Sequence, residues 1–310
     1  MRIGWLGLGA VRRDVEAVYL VPGFDIAADR AAALAADGVH AAASIRAAVA
    51  GAELAAIMVA TPDELAAVLS GPDGVAAALP AGAIAAIMAT VGPAAAEAAA
   101  ARLAGRGITV LDAPVSGGVA RAAAGDLLIM VSGPAGAVRR AQPVLDTLAR
   151  SAPVVGPAPG DGQRMKLVNQ LLCGVHIAAA AEALAFAETL GLDPAGCWQV
   201  LRDGAAASFM FSDRGARMVS GEFGQVRSAL DIFVKDMGLV GAAADGTGAD
   251  TPLASAAAQL YRRGHELGLG QLDDAALITV LRDGRRPVSP PGGVRIGRWT
   301  GLAILLMAAF

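Results

Sequence analysis

The rhythm of apolar residues changes once along this chain, near Gln163, and that change limits the fold more than any single motif. Up to about residue 160 the sequence alternates short apolar runs with alanine-rich helical stretches. The runs are RIGWLGL, FDIAA, LAAIMVA, AIAAIMA, ITVLDA and LLIMVS, the last followed by APVVG; AAALAADG and PAAAEAAAARLAGRG are typical of the intervening stretches. Strands alternating with helices predict a parallel sheet covered on both faces. From Gln163 to Gly191 the chain has no proline and one internal glycine, Gly174. That predicts a helix of roughly 28 residues, long enough to bridge two domains. Gly191 stops it, Asp193-Pro194 starts the next, and helical patterns continue to about Arg282.

The expected organisation is an α/β protein: a doubly wound sheet over residues 1–161, an all-helical domain over 162–282 joined by the long helix, and a tail over 283–310. With 310 residues and 55% hydrophobic content, the chain can bury two cores. The tail begins DGRRPVSPPGG and ends in about a dozen apolar residues, short of the ~20 that span a bilayer. A packing tail, a membrane-touching segment and an out-of-frame extension all fit it; we read it as a tail without a catalytic role.

Net charge is −3 and no basic run has the density of a nucleic-acid groove. Cys173 and Cys197 lack metal-ligand spacing and read as reduced thiols, so no metal is expected. MRIGWLGLG reads as a first strand rather than a signal peptide, which points to a cytoplasmic protein.

Four features carry chemistry. Gly7-Leu8-Gly9 closes the first strand, followed by Ala10 and Val11; glycines there let a pyrophosphate approach the backbone and the next helix N-terminus, as in a Rossmann-like sheet. The position of the third fingerprint glycine holds Arg12, and a tight turn without ligand fits the same residues. Asp29, about twenty residues after Gly9, suits the ribose hydroxyls of NAD, whereas the adjacent Arg30 favours the NADP phosphate. NAD is favoured, with NADP not excluded. Asp112–Gly118, DAPVSGG, places Ser116, Gly117 and Gly118 in a loop that opens a helix, a nest suited to a small carboxylate; an ordinary loop fits equally well.

The fourth feature is Lys166. Of 25 basic residues only Lys166 and Lys235 are lysines, and Asn169 is the only asparagine in the chain. Lys166, Asn169 and Gln170 share one helix face, with His176 about three turns on. An amine beside a carbonyl carbon can exchange a proton with the substrate oxygen during hydride transfer; a guanidinium cannot. The amides would hold a carboxylate or hydroxyl. The plain alternative is a solvated lysine and a core histidine.

GLG, DAPVSGG, GDLLIMVSG, the glycine-led KLVN and VKD occur in the order found in the β-hydroxyacid dehydrogenases, and residues 1 to 282 resemble that family. KLVNQLLCGVHIAAAAEALAFA and RSALDIFVKDMGLV resemble its L-threonate dehydrogenase branch. The resemblance implies that Lys166 is the acid/base, that Ser116, Gly117 and Gly118 bind the substrate carboxylate, and that Thr61, Thr90 and Lys235 contact the cofactor. It also implies NAD-dependent oxidation of a small hydroxy acid, such as a four-carbon sugar acid, to a 2-oxo acid, with His176 near the extra hydroxyls. A homodimer or homotetramer goes with it. Familiar members carry asparagine where this chain has Gln170, a departure that marks the subgroup. Val11, Arg12 and Glu16 also depart from the family's GLGxMG opening. The alternatives within the family are 3-hydroxyisobutyrate dehydrogenase and 2-hydroxy-3-oxopropionate (tartronate semialdehyde) reductase. Outside it stands a non-catalytic relative with an impaired nucleotide pocket. An imine reductase on the same fold is disfavoured because those enzymes usually lack this lysine.

Overall fold

A computed structural model describes residues 1–7, 22–26 and 40–283. Its main sheet has eight strands in the order β11-β9-β6-β5-β4-β1-β2-β3. These are β1 (Ile3–Leu6), β2 (Pro22–Phe24), β3 (His40–Ala41), β4 (Leu54–Ile57), β5 (Ile84–Ile87), β6 (Thr109–Asp112), β9 (Val131–Ser132) and β11 (Val154–Gly156). Strands β1 to β6 are parallel and read 3-2-1-4-5-6, the doubly wound nucleotide-binding order. The direction of winding switches between β1 and β4, and ligands of such sheets sit beyond the carboxyl ends of the strands at that point.

The expectation of a wholly parallel sheet fails at one edge. β9 runs antiparallel to β6 through Asp112 and Ser132. The run LLIMVS divides at Met130, whose N–H bonds the Pro114 carbonyl at 3.0 Å. Its first part is β8 (Leu127–Ile129), in a small sheet with β7 (Val115–Ser116) and β10 (Ala149–Ser151). β7 follows directly from β6, and β8 returns antiparallel to it. The continuation into β9 therefore enters the main sheet against the direction of β6. The second strand is also displaced: it lies at Pro22–Phe24 rather than along FDIAA, and Ile26 is 95% exposed.

Alternate residues of the central strands feed two cores, as the two-residue period of a strand requires. Leu6, Ala55, Ile57, Ala85 and Ile87 face the helices Ile45–Val49, Pro62–Leu69, Val75–Ala78 and Pro93–Ala104. Ile3, Trp5, Leu54, Ala56, Ile84 and Ala86 face the other way, toward Ala135–Leu148. The small residues permit close layers: a Cβ on Gly4 would lie 2.4 Å from the Ala48 carbonyl oxygen.

The long helix spans Asp161–Thr189, 29 residues, starting two residues before the expected point. Helices Phe209–Ser220, Leu230–Thr247, Pro252–Glu266 and Leu277–Asp283 pack around it. Gly174 is small because Met237 rests on it: a Cβ there would stand 2.3 Å from the Met237 sulfur, and the Tyr261 hydroxyl donates to the Gly174 carbonyl at 3.0 Å. By length and composition this helix could cross a membrane, but half of its most apolar stretch is buried by its neighbours, as in a core helix.

The sheet holds the start of this helix through one buried carboxylate. Asp112, fully buried at the end of β6, accepts from the Gly160 and Gln163 N–H groups, each at 2.9 Å, and from the Gln163 side-chain amide at 2.7 Å. The Ser132 hydroxyl adds a bond at 3.3 Å and accepts the Gly162 N–H at 2.8 Å. An anion at a helix N-terminus satisfies otherwise orphaned donors and complements the helix dipole. Burial raises the Asp112 carboxyl above its usual range, against the pull of Gln163, Gly160 and Ser132.

Asp112→Ala would leave several buried donors unpaired, each at a cost of about 1–3 kcal/mol. Urea unfolding should show a loss of at least about 3 kcal/mol, against no more than ~0.5 kcal/mol for Asp203→Ala at a largely exposed site. A loss below about 1 kcal/mol for Asp112→Ala would reject the pinning role.

Candidate active site

Lys166 lies one turn beyond Gln163, so the Asp112 anchor fixes its place along the helix. Its side chain is buried, with 5% exposure, yet no described residue forms a hydrogen bond or ion pair with its amine. Burial pushes the amine below the ordinary lysine range; the Asp236 carboxylate and Cys173 oppose this shift, and the Lys235 ammonium reinforces it.

A hydrogen-bonded arc runs beside this amine. The Ser116 hydroxyl donates to Asn169 Oδ1 at 3.3 Å. Asn169 Nδ2 donates to Gln170 Oε1 at 2.8 Å and to the Cys173 sulfur at 3.4 Å. Gln170 Nε2 donates to Asp236 Oδ2. Asp236 in turn pairs with Lys235, 2.9 Å from its Oδ1, and Lys235 donates to the Thr90 carbonyl at 2.8 Å. The arc thus joins the end of β7 to the loop after β5, passing through the helices that carry Lys166 and Lys235. Gln163 closes the other side, accepting from the Val91 and Gly92 N–H groups at 2.9 and 3.0 Å and donating to the Ala89 carbonyl at 3.0 Å.

Of the residues singled out in the sequence, Ser116, Asn169, Gln170, Lys166, Lys235 and Thr90 therefore come together. Gly117, at φ 140°, caps the helix Gly118–Ala123, and Gly118 has φ 72°. His176 is half-buried farther along the long helix and takes no part in the arc. Thr61 caps the helix Pro62–Leu69: its hydroxyl accepts from the Glu64 N–H at 3.1 Å, while Glu64 accepts from the Ala60 N–H at 2.7 Å. Leu8, Gly9, Ala10, Val11, Asp29 and Arg30, with Arg12 and the tail from residue 284, lie outside the described residues.

Gly7 closes β1 with φ 88°, a conformation that favours glycine, and a Cβ there would stand 1.9 Å from the Met58 carbonyl oxygen. Gly7, Met58 and the Thr90 loop all lie at the carboxyl edge of the sheet, beside the β1–β4 switch. In doubly wound sheets of this order, dinucleotides bind beyond the carboxyl edge at the switch point. Among the described residues, no group of three or more His, Cys, Asp or Glu could hold a metal.

Sequence reasoning assigned no role to Asp112, Gln163, Cys173 or Asp236. All four stood inside or beside quoted motifs. The available signal was polarity in the wrong place: Asp112 ends an otherwise apolar strand, and Asp236 sits among Phe233, Met237 and Val240, which are all buried.

Residues 2–156 match the NAD-binding domain of 6-phosphogluconate dehydrogenase. Residues 160–281 match the family described as NAD-binding of NADP-dependent 3-hydroxyisobutyrate dehydrogenase. L-threonate dehydrogenase of Cupriavidus necator is 39% identical over 224 residues, which cover 72% of this chain and 75% of that one. L-threonate dehydrogenase of Escherichia coli K12 is 37% identical over 281 residues, covering 90% and 92%. The crystal structure of 3-hydroxyisobutyrate dehydrogenase from Salmonella typhimurium superposes with a TM-score of 0.84 at 36% identity, covering 90% of this chain and 99% of that one. The matches span both the sheet and the helical array, and the chain belongs to the 3-hydroxyisobutyrate dehydrogenase-like family of NAD(P)-binding hydroxyacid dehydrogenases, alongside the L-threonate dehydrogenases.

Proposed function

We propose that this chain oxidises the C2 hydroxyl of a small hydroxy acid, a four-carbon sugar acid of the L-threonate type, with Lys166 as general acid/base and NAD as the favoured cofactor. The observation that carries this reading is the buried amine of Lys166, unpaired among the described residues, next to the arc that starts at Ser116. Residues 1–161 would hold the nucleotide, and 162–282 the catalytic face. Ser116, Gly117 and Gly118 would receive the substrate, and His176 would reach its far hydroxyls.

The bound nicotinamide supplies the hydride acceptor. Lys166 in its neutral form takes the C2 hydroxyl proton as the C2 hydride departs, leaving a 2-oxo acid and an ammonium; reduction reverses both transfers. Burial favours the neutral amine, so the lysine can act as a base at a pH where a free lysine stays charged. Arginine would hold its proton throughout. The Lys235 bond to Thr90 supports a role at the cofactor side of the cleft. An oligomer also belongs to this reading, supported by the exposed apolar residues Val168, Leu172, Phe186 and Leu190 along the long helix.

Lys166→Arg should lower NADH formation from L-threonate by about 10²-fold or more while leaving nucleotide affinity unchanged; full activity in that variant would reject the role. The pH profile has a definite sign. Oxidation needs the deprotonated amine, so its rate should rise with pH and level off through a group titrating below the ordinary lysine range. Reduction of the 2-oxo acid should fall across the same limb. A profile that still climbs steeply where free lysine titrates would contradict the burial argument. Arg12 bears on the competing, non-catalytic reading. Calorimetric titration should give a micromolar Kd for NAD, about −8 kcal/mol. No heat with either NAD or NADP would favour the impaired pocket.

A further inference from the structure

Lys166 has the setting of a nucleophile as well as that of a proton carrier. Its amine is buried and forms no hydrogen bond or ion pair with any described residue. The carboxylate that would hold it as an ammonium is engaged elsewhere: Asp236 Oδ1 lies 2.9 Å from the Lys235 amine, and Oδ2 accepts from Gln170. Cys173 is no substitute, because burial pushes its thiol up and keeps it protonated. The other amines of the chain differ in this respect. Lys235, the second of only two lysines, is held by Asp236 and the Thr90 carbonyl. The terminal amine of Met1 lies 3.8 Å from the Glu53 carboxylate. Burial, reinforced by the Lys235 charge, favours the neutral form of Lys166 alone. A desolvated lysine with a second cation nearby is the arrangement that turns an amine into an attacker of carbonyl carbon.

We infer that Lys166 captures small 2-oxo acids covalently, as an imine between its Nζ and the acid's C2, so that the site is reversibly closed by its own product class. The carbonyl compound rests on the dehydrogenase reading above; the nucleophile rests on burial without a partner. In the step, Nζ attacks C2 and a carbon–nitrogen double bond replaces the carbon–oxygen one. The C2 oxygen leaves as water with both amine hydrogens, and nothing is oxidised or reduced. Water reverses the step. A 2-oxo acid suits this site better than a neutral ketone. Once the imine takes up a proton it is a buried cation, and Asp236 is already committed. The carboxylate on the adjacent carbon supplies the missing counter-charge. While the imine persists, the amine cannot exchange a proton, so 2-oxo acids inhibit slowly as well as by competition.

The full-length protein, with and without saturating NAD, is incubated at neutral pH with 2-oxobutanoate and sodium cyanoborohydride. The reagent converts an imine into a stable secondary amine, and oxidised NAD cannot reduce the acid. Intact mass should show a single adduct, and peptide mapping should place it on Lys166, with Lys235 labelled at least about tenfold less. Butan-2-one, which lacks the carboxylate, should label Lys166 at least about tenfold more slowly. Lys166→Arg, checked for folding by a melting curve, should lose the adduct. No adduct on Lys166, even labelling of Lys166 and Lys235, or equal labelling by the ketone would each overturn the inference. The dehydrogenase reading is judged apart from it. NADH formation from L-threonate without an adduct rejects the capture alone, whereas an adduct without NADH formation sustains the capture and rejects the oxidation.

Discussion

The structure depends on one buried carboxylate at the start of one helix. Asp112 ends a central strand and receives the first free N–H groups of the Asp161–Thr189 helix, along with the Gln163 side chain. That single group sets the axial position of a helix that carries Lys166, Asn169 and Gln170 within its next two turns. Gln163 extends the hold to the loop after β5 through Val91 and Gly92. The sheet edge, the Thr90 loop and the Lys166 face are therefore placed relative to one another by hydrogen bonds in a dry interior, where geometry is strict and an unpaired donor is expensive.

The electrostatics of the cleft follow from that dryness. Lys166 is buried with no partner among the described residues, and the carboxylate that acts on it, Asp236, is shared with Lys235 and Gln170. One carboxylate between two amines leaves one of them underneutralised. The amine on the long helix is the one left over, which suits the acid/base role proposed for it. Lys235 is instead fastened to the Thr90 carbonyl.

Much of this was legible in the sequence, and the failures have physical causes. The change of period at Gln163 marked the long helix to within two residues, because apolar periodicity over nearly thirty residues is hard to mistake. The parallel sheet was implied by alternation with helices. The antiparallel edge was not, because LLIMVS looks like one strand and only the return of β8 against β7 splits it. FDIAA looked like a strand, but pairing with β1 selected Pro22–Phe24 instead. At the site, lysine scarcity and the sole asparagine drew attention to the helix face that meets Ser116 and Asp236. Asp236 and Asp112 were missed because a carboxylate in a sequence reads as surface until burial is known. The Thr61 hydroxyl also caps a helix, a role that the run Thr-Pro-Asp-Glu could have suggested.

Gly7 carries a consequence for how chains of this kind are recognised. Its positive φ and the proximity of the Met58 carbonyl demand glycine on account of strand packing alone. A descendant that had ceased to use dinucleotides would face the same steric veto at that position. Its first fingerprint glycine would survive as a fossil of the architecture, carrying no news about the ligand. Genome surveys that score that glycine as a sign of redox capability would count such descendants as enzymes.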